Sequence, residues 1–120
     1  MPGVFSLTGG MTMIRATTPL QEFTFESNPE EFSRILITYK QDEVIVLEKE
    51  KGDLSFSSYI GEDGIIIYVA AFRMTQEEAN LFEPEPVRVQ VRVLTADNEA
   101  LASDITTMRV TDVLDDEVLT

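Results

Sequence analysis

The clearest pattern of apolar and polar positions is the run VRVQVRV at residues 87–93, in which every second residue is valine. A period of two is typical of a β-strand with one side in a core and the other in water. Valine favours extended backbone, and Arg88, Gln90 and Arg92 supply the solvent side. The run therefore predicts a half-buried strand near residues 86–96.

A β-hairpin is expected directly after this strand, because Asp97-Asn98-Glu99 has the residue types of a tight turn. A three-residue loop sets Ile105 opposite Val91 and Asp104 opposite Arg92. A two-residue loop would instead point Asp104 at the core, where an unpaired carboxylate is costly. The longer loop is therefore preferred.

The end of the second strand of this hairpin needs one irregularity. On the three-residue-loop register, Met108 and Val110 fall on the solvent side. Both are apolar, so a bulge near Thr106-Thr107 is expected to reset the alternation.

Residues 65–73, IIIYVAAFR, also predict a strand, but one with two apolar faces. A sandwich strand needs only one. The second face must be covered by the N-terminal segment, by a short helix or by a neighbouring subunit. An exposed apolar strip is a typical interaction surface, so Ile66, Tyr68 and Phe72 are candidate partner-binding residues.

A short helix is predicted between this strand and the hairpin. Thr75 and Glu78 have the spacing of a capping box, and Ala79, Leu81 and Phe82 give the helix apolar residues to bury. Prolines at 84 and 86 end it within about two turns. The alternative is a single helical turn within a loop.

Further strands are predicted within 20–27, 33–41, 44–51 and 54–58, where apolar residues alternate between turn signals. The pattern predicts one domain over residues 20–111. Its fold class is all-β: an immunoglobulin-like antiparallel β-sandwich of about seven strands, with one short helix between the strands near 65–73 and 86–96.

Both ends of the chain are predicted to lie outside the sandwich. Residues 1–19 are expected to form an extended N-terminal arm, either apart from the core or ordered against a partner. Met13 and Ile14 are its candidate partner-binding residues. Residues 112–120 form an acidic C-terminal tail, in which apolar pairs flank Asp115-Asp116-Glu117. The tail is expected either to fray or to dock on a partner.

The charge balance restricts the partners. There are 22 acidic residues against 9 basic ones, a net charge of −13, which repels nucleic-acid phosphates and anionic membranes. No run approaches the roughly 18 to 20 apolar residues of a membrane span, and the N-terminus lacks the pattern of a signal peptide. The absence of cysteine fits synthesis in a reducing cytoplasm.

The chain offers little for catalysis. It has no histidine and no cysteine, and it contains no phosphate-binding glycine loop, dinucleotide fingerprint or nucleophile elbow. The carboxylates of Glu48, Glu50, Glu62 and Asp63 fit solvated faces and turns better than a catalytic acid pair. Acidic spacings match no established calcium loop. The sequence therefore predicts no enzyme, no metal and no cofactor.

The stretch Met74-Thr75-Gln76-Glu77-Glu78, followed by VRVQVRVLTADNEALASDITTMRV and Val113-Leu114-Asp115-Asp116, resembles a known group of proteins. It is similar to small β-sandwich structural proteins of phages and prophages of Gram-positive bacteria. It is similar, more loosely, to the N-terminal domain of the upper baseplate proteins of tailed phages. A "TQEE"-like helical start and a "VQVRV" strand carry the likeness, although Asn98-Glu99 stands where that group commonly has Asp-Gly.

The start Met11-Thr12-Met13-Ile14-Arg15 with Thr17-Thr18-Pro19 also resembles the start of those phage proteins, and this resemblance implies that the first ten residues would be an extension. The resemblance, over roughly Met11 to Thr120, implies a non-enzymatic virion component. It would be synthesised in the bacterial host cytoplasm, dock to other virion structural proteins, and either form a homo-oligomer or be repeated in a symmetric assembly. The alternative is an immunoglobulin-like adhesive or carbohydrate-binding module.

Overall fold

The structure is a computed structural model that describes residues 5–8, as backbone, and residues 12–120. One helical turn, α1 (Gln76–Ala79), and two 3₁₀ helices, Pro29–Glu31 and Lys51–Asp53, lie in these ranges. The ranges also contain ten strands: β1 (Phe5–Thr8), β2 (Thr12–Ile14), β3 (Leu20–Phe25), β4 (Arg34–Gln41), β5 (Val44–Glu50), β6 (Ser55–Ile60), β7 (Ile66–Arg73), β8 (Val87–Leu94), β9 (Ala100–Ala102) and β10 (Thr106–Thr111).

The strands form two sheets with a shared apolar core. One sheet has four strands in the order β1-β3-β7-β6, and all its neighbours are antiparallel. The other has six strands, in the order β2-β10-β8-β4-β5 with β9 also paired to β8. The predicted all-β sandwich is confirmed, with ten strands in the described residues where about seven were expected.

Residues 12–14 correct the prediction of an N-terminal arm outside the core. β2 pairs in parallel with β10, Met13 lies opposite Val110, and the Met13 side chain is only 2% exposed. The N–H of Arg15 extends the contact by donating to the carbonyl of Thr111 at 3.0 Å. Burial of an apolar side chain and pairing of main-chain groups both favour attachment over a free arm. The sandwich therefore begins before residue 20, while the Gly9-Gly10 pair lies outside the described residues.

The hairpin after β8 has the predicted three-residue loop, displaced by one residue. The N–H of Thr95 donates to the carbonyl of Glu99 at 2.8 Å, so the loop is residues 96–98. Asn98 closes the loop with a left-handed φ of 68°, a conformation that asparagine tolerates better than glutamate does. Arg92 consequently lies opposite Ala102, and the predicted register was wrong.

The predicted bulge is present at residues 103–105, slightly before its expected position. Arg92 lies opposite Ala102 and Val89 lies opposite Thr106, so four steps along the second strand face three along β8. One extra residue in an antiparallel strand has this effect on register. β9 and β10 are thus two parts of one interrupted strand beside β8.

Ser103 stabilises the bulge by two hydrogen bonds with the main chain of Val91. Its N–H donates to the Val91 carbonyl at 2.8 Å, and its Oγ accepts a hydrogen bond from the Val91 N–H at 3.0 Å. Beyond it the alternation is reset, and Met108 and Val110 lie in the core at 0% and 3% exposure.

Tyr39 of β4 lies in the core between the two sheets. Its ring packs edge to face with Phe72 and Phe82, at centroid distances of 6.2 and 5.7 Å. Its O–H donates to Oε1 of Gln21 at 2.8 Å, and burial raises the pKa of Tyr39 well above its ordinary value. A buried hydroxyl needs such a partner.

The predicted capping box is confirmed at α1. The N–H of Glu78 donates to Oγ1 of Thr75, and the N–H of Thr75 donates to Oε1 of Glu78, both at 3.0 Å. The element is a single turn of four residues, as in the alternative considered above. Ala79 and Phe82 are fully buried, but Leu81 is 56% exposed, so its predicted burial was wrong.

Candidate interaction surface

The five residues predicted to bind partners do not form one exposed surface. Phe72 is 7% exposed and Met13 is 2% exposed, and both belong to the core. Tyr68 is half-buried and packs against that core. Ile66 and Ile14 alone of the five are largely exposed, at 47% and 48%. The expectation that Tyr68, Phe72 and Met13 present an exposed surface is therefore corrected.

The register of β7 gives the physical reason. Phe72 lies opposite Gln21 and Tyr68 lies opposite Phe25, and the aligned side chains of β3 and β7 face the second sheet. The strip that includes Ile66, Tyr68 and Phe72 is thus the inner side of β7. The second sheet covers most of it from within the same chain.

The ion pair between Lys49 and Glu78 also helps to shield Phe72 from solvent. The Nζ atom of Lys49 lies 5.4 Å from the centre of the Phe72 ring and pairs with Glu78. Burial by itself would raise the pKa of Glu78. Hydrogen bonds from Lys49 and from Thr75 outweigh it and hold the pKa of Glu78 below its ordinary value. The carboxylate therefore stays ionised above the aromatic core.

One exposed apolar surface lies instead at the tip of the β6–β7 hairpin, and other exposed apolar side chains, such as Val44, Ile45 and Ile105, lie on the six-stranded sheet. We define the tip patch by its four members and their exposed fractions: Tyr59 at 53%, Ile60 at 72%, Ile65 at 60% and Ile66 at 47%. Ile60 and Ile66 are directly opposite each other in the ladder and lie on the inner side of the sheet, whereas Tyr59, opposite Ile67, lies on its outer side, so the patch wraps around the end of the hairpin. Ile66 is the one predicted partner-binding residue in the tip patch.

Local sequence shapes this tip. The N–H of Gly61 donates to the carbonyl of Ile65 at 2.8 Å, which leaves residues 62–64 as the loop. Gly64 has a φ of 80°, and such a left-handed residue commonly closes a three-residue hairpin loop. The Asp63 carboxylate accepts the N–H of Ile65 at 3.1 Å. A polar turn of this kind leaves its flanking apolar residues at the end of the sandwich.

β6 is also an edge strand, since β7 alone pairs with it among the described strands. Its sequence, SFSSYI, has no charged residue in a chain that is 26% charged. Sequence reasoning ended this strand near Ser58 and missed Tyr59 and Ile60. The continued alternation into Tyr59-Ile60 and the lack of charge were signals that could have found them.

Two shallow grooves lie on the outer face of the six-stranded sheet. One has a volume of about 300 Å³ and is lined in part by Arg34, Leu36 and Arg92. The second, of about 290 Å³, shares Arg92 and includes Ile105. Arg34 forms an ion pair with Glu50 at 2.7 Å, but both side chains are more than 60% exposed, so this pair contributes little.

The C-terminal tail is attached along its length rather than frayed. Arg15 forms ion pairs with Asp112 at 2.7 Å and with Asp116 at 3.3 Å, and the guanidinium is the main cause that lowers the pKa of Asp112. The side-chain amide of Gln76 donates to the Leu119 carbonyl at 2.8 Å and accepts the Leu119 N–H at 2.7 Å. The tail therefore docks within its own chain.

Neither a metal site nor a membrane-spanning helix stands out within residues 5–8 and 12–120. No group of three or more acidic, histidine or cysteine side chains there is arranged to hold a metal ion. No helix in the same ranges is long and apolar enough to cross a membrane. The tip patch and the open edge of β6 are candidate features for contact with another molecule.

A scan against protein-family models found no matching family, and a search of curated proteins found no significant match.

Proposed function

We propose that this protein is a non-enzymatic structural or assembly protein of a tailed phage or prophage particle. It acts through protein–protein contacts in the tail, the baseplate or the capsid surface. Its partners are other virion structural proteins, and its place is the virion, after synthesis in the bacterial host cytoplasm. The resemblance of the Met74–Glu78 stretch and the hairpin to phage proteins supports this proposal.

The observation that carries the proposal is the tip patch beside the uncharged edge of β6. Four large apolar side chains, each at least 47% exposed, crowd one hairpin. Covering them with a partner contributes about 25 cal/mol per Å² of apolar area, less the cost of association. Repetition in a symmetric assembly turns such modest contacts into a stable structure.

The proposed location of the protein in the virion is tested on purified phage particles. An antibody against the chain should detect it in phage particles purified from a lysate of the host, at a fixed number of copies per particle. Particles that form normally but lack the chain would contradict the proposal.

The surface is tested with a matched pair of variants. Ile60 is 72% exposed in the tip patch and Ile105 is 56% exposed on the other sheet. Ile60→Asp should reduce incorporation into particles about tenfold or more, because it places a charge in an apolar contact. Ile105→Asp should leave incorporation unchanged. Equal effects of the two substitutions would show that the tip patch is not the contact.

A second candidate is an immunoglobulin-like adhesive or carbohydrate-binding module. Tyr59 favours it, because this aromatic ring is 53% exposed and can stack on a sugar. Saturable binding to one member of a glycan panel, lost in Tyr59→Ala, is the expected result for such a module. Failure to bind any glycan on a broad panel would eliminate this candidate.

A further inference from the structure

Five of the described strands, β1, β2, β5, β6 and β9, pair with a single neighbour, and these open edges differ in how well their main-chain groups are protected. β2 and β9 are three residues long and β1 is four. β5 carries Glu48, Lys49 and Glu50. Short length and charge both discourage pairing with another chain. β6 has six residues with neither charge nor proline, so it is the least protected edge.

The hydrogen-bond pattern shows which residues of β6 face this edge. The N–H of Gly61 donates to the carbonyl of Ile65 in the β6–β7 ladder. Bonded and non-bonded pairs alternate along an antiparallel ladder, so Ser57 and Tyr59 face β7. The N–H and carbonyl groups of Phe56, Ser58 and Ile60 therefore point away from β7, toward the open edge.

We infer that β6 pairs antiparallel with the β6 of a second copy of this chain, about a two-fold axis at Ser58. Ser58 then faces Ser58 of the second copy, and Phe56 faces Ile60 of the second copy in both directions. These three residues are the ones whose main-chain groups face the edge, so every open group from 56 to 60 gains a partner. The two four-stranded sheets join into one sheet of eight strands.

The self-complementary register and the apolar area favour a second copy as the occupant, against the repulsion between two acidic molecules. Two molecules that each carry a charge of −13 can approach closely only where their surfaces are uncharged, and β6 supplies such a stretch. A strongly basic partner would be drawn to the acidic loops in preference to this edge. Pairing also covers Ile60, the most exposed side chain of the tip patch, with the half-buried Phe56.

The expected complex is a reversible dimer. One strand pair buries less than the roughly 1,200 Å² typical of stable interfaces, so monomer and dimer should coexist over an accessible concentration range. Asp53 and Asp63 flank β6, and both molecules are acidic. Added salt should therefore strengthen the dimer, because it screens their repulsion.

This inference rests on the proposed function, since it names the partner that binds at the same surface. The outcome of the particle experiment above does not depend on whether β6 pairs with a second copy. A monomeric protein found in particles would overturn the β6 pairing and leave the proposed function standing. A dimer held by β6, in a protein that is absent from particles, would support the β6 pairing and contradict the proposed function.

Sedimentation velocity of the full chain over a concentration series tests the pairing. Ser58→Pro removes an edge-facing N–H that the β6–β7 ladder does not use, so it should weaken the dimer about tenfold or more while the monomer stays folded. Ser58→Ala keeps that N–H and should dimerise like the original chain. A monomer at every concentration, or a dimer unaffected by Ser58→Pro, would overturn the inference.

A charge exchange tests the two-fold register and does not depend on the proline variant. Ser58→Glu alone and Ser58→Lys alone each place like charges opposite one another and should dimerise more weakly than the original chain. An equal mixture should form a mixed dimer in preference to either self-pair, because Glu and Lys then face each other across the ladder. Dimers that ignore the charge at residue 58 would exclude this register.

Discussion

Tyr39 and Gln21 place a polar contact inside an otherwise apolar core. Tyr39 is fully buried and Gln21 is 2% exposed. The tyrosine hydroxyl donates to Oε1 of Gln21 at 2.8 Å, and the amide nitrogen of Gln21 donates to the Leu20 carbonyl at 3.3 Å. This contact fixes the β4 side chain against the β3 side chain, across the space between the two sheets.

Tyr39→Phe should lower the free energy of unfolding by about 1–3 kcal/mol, the usual cost of a buried polar atom left without its partner. The ring and its contacts with Phe72 and Phe82 stay, so packing changes little. Urea unfolding followed by circular dichroism measures the difference. The double variant Tyr39→Phe with Gln21→Met removes both partners and should recover part of the loss. A single variant as stable as the original chain would show that the contact is energetically neutral.

At the scale of elements, the bulge at residues 103–105 decides which face of β10 is buried. Deleting Asp104 should remove the extra residue and turn Met108 and Val110 away from the core. Each buried apolar side chain of this size contributes about 1.5–3 kcal/mol. We therefore expect the deletion to lower the free energy of unfolding by about 3–6 kcal/mol, as measured by urea unfolding.

Asp104→Ser is the control for this deletion, because it changes the side chain and keeps the length. Ser103 would still bond to Val91 and to the residue-104 carbonyl, so the substitution should cost less than about 1 kcal/mol, as surface changes usually do. If deletion and substitution cost the same, the hairpin must absorb a one-residue change without reversing β10.

Local patterns predicted the elements that depend on neighbours in sequence. The alternation of residues 87–93 gave β8, and the Thr75–Glu78 spacing gave the capped turn. The burial of Met13 was not predictable in this way, because β2 joins β10 near the other end of the chain, where Arg15 and Asp112 are 97 positions apart. The tip patch depends in the same way on strand order, since β6 becomes an edge only when the sheet is assembled.

For the whole molecule, the excess of negative charge opposes folding. The chain carries 22 acidic and 9 basic residues, so most acidic groups have no basic counterpart. Several of the ion pairs in the described residues are well exposed, such as Arg34–Glu50, and such pairs contribute only about 0–1 kcal/mol each. Long-range repulsion should therefore outweigh these local attractions, and salt screens it over distances beyond about 10 Å at 0.1 M.

Sodium chloride should accordingly raise the free energy of unfolding at pH 7, in contrast to a protein held together by surface ion pairs. The measurement is urea unfolding at low and at moderate salt, made on Ser58→Pro so that association does not contribute. Near pH 4.2, where the net charge approaches zero, the salt effect should largely disappear because the repulsion has been titrated away. A loss of stability with salt at pH 7 would mean that pairs such as Arg15–Asp112 outweigh the repulsion. Salt would then loosen the attachment of the tail to the sandwich.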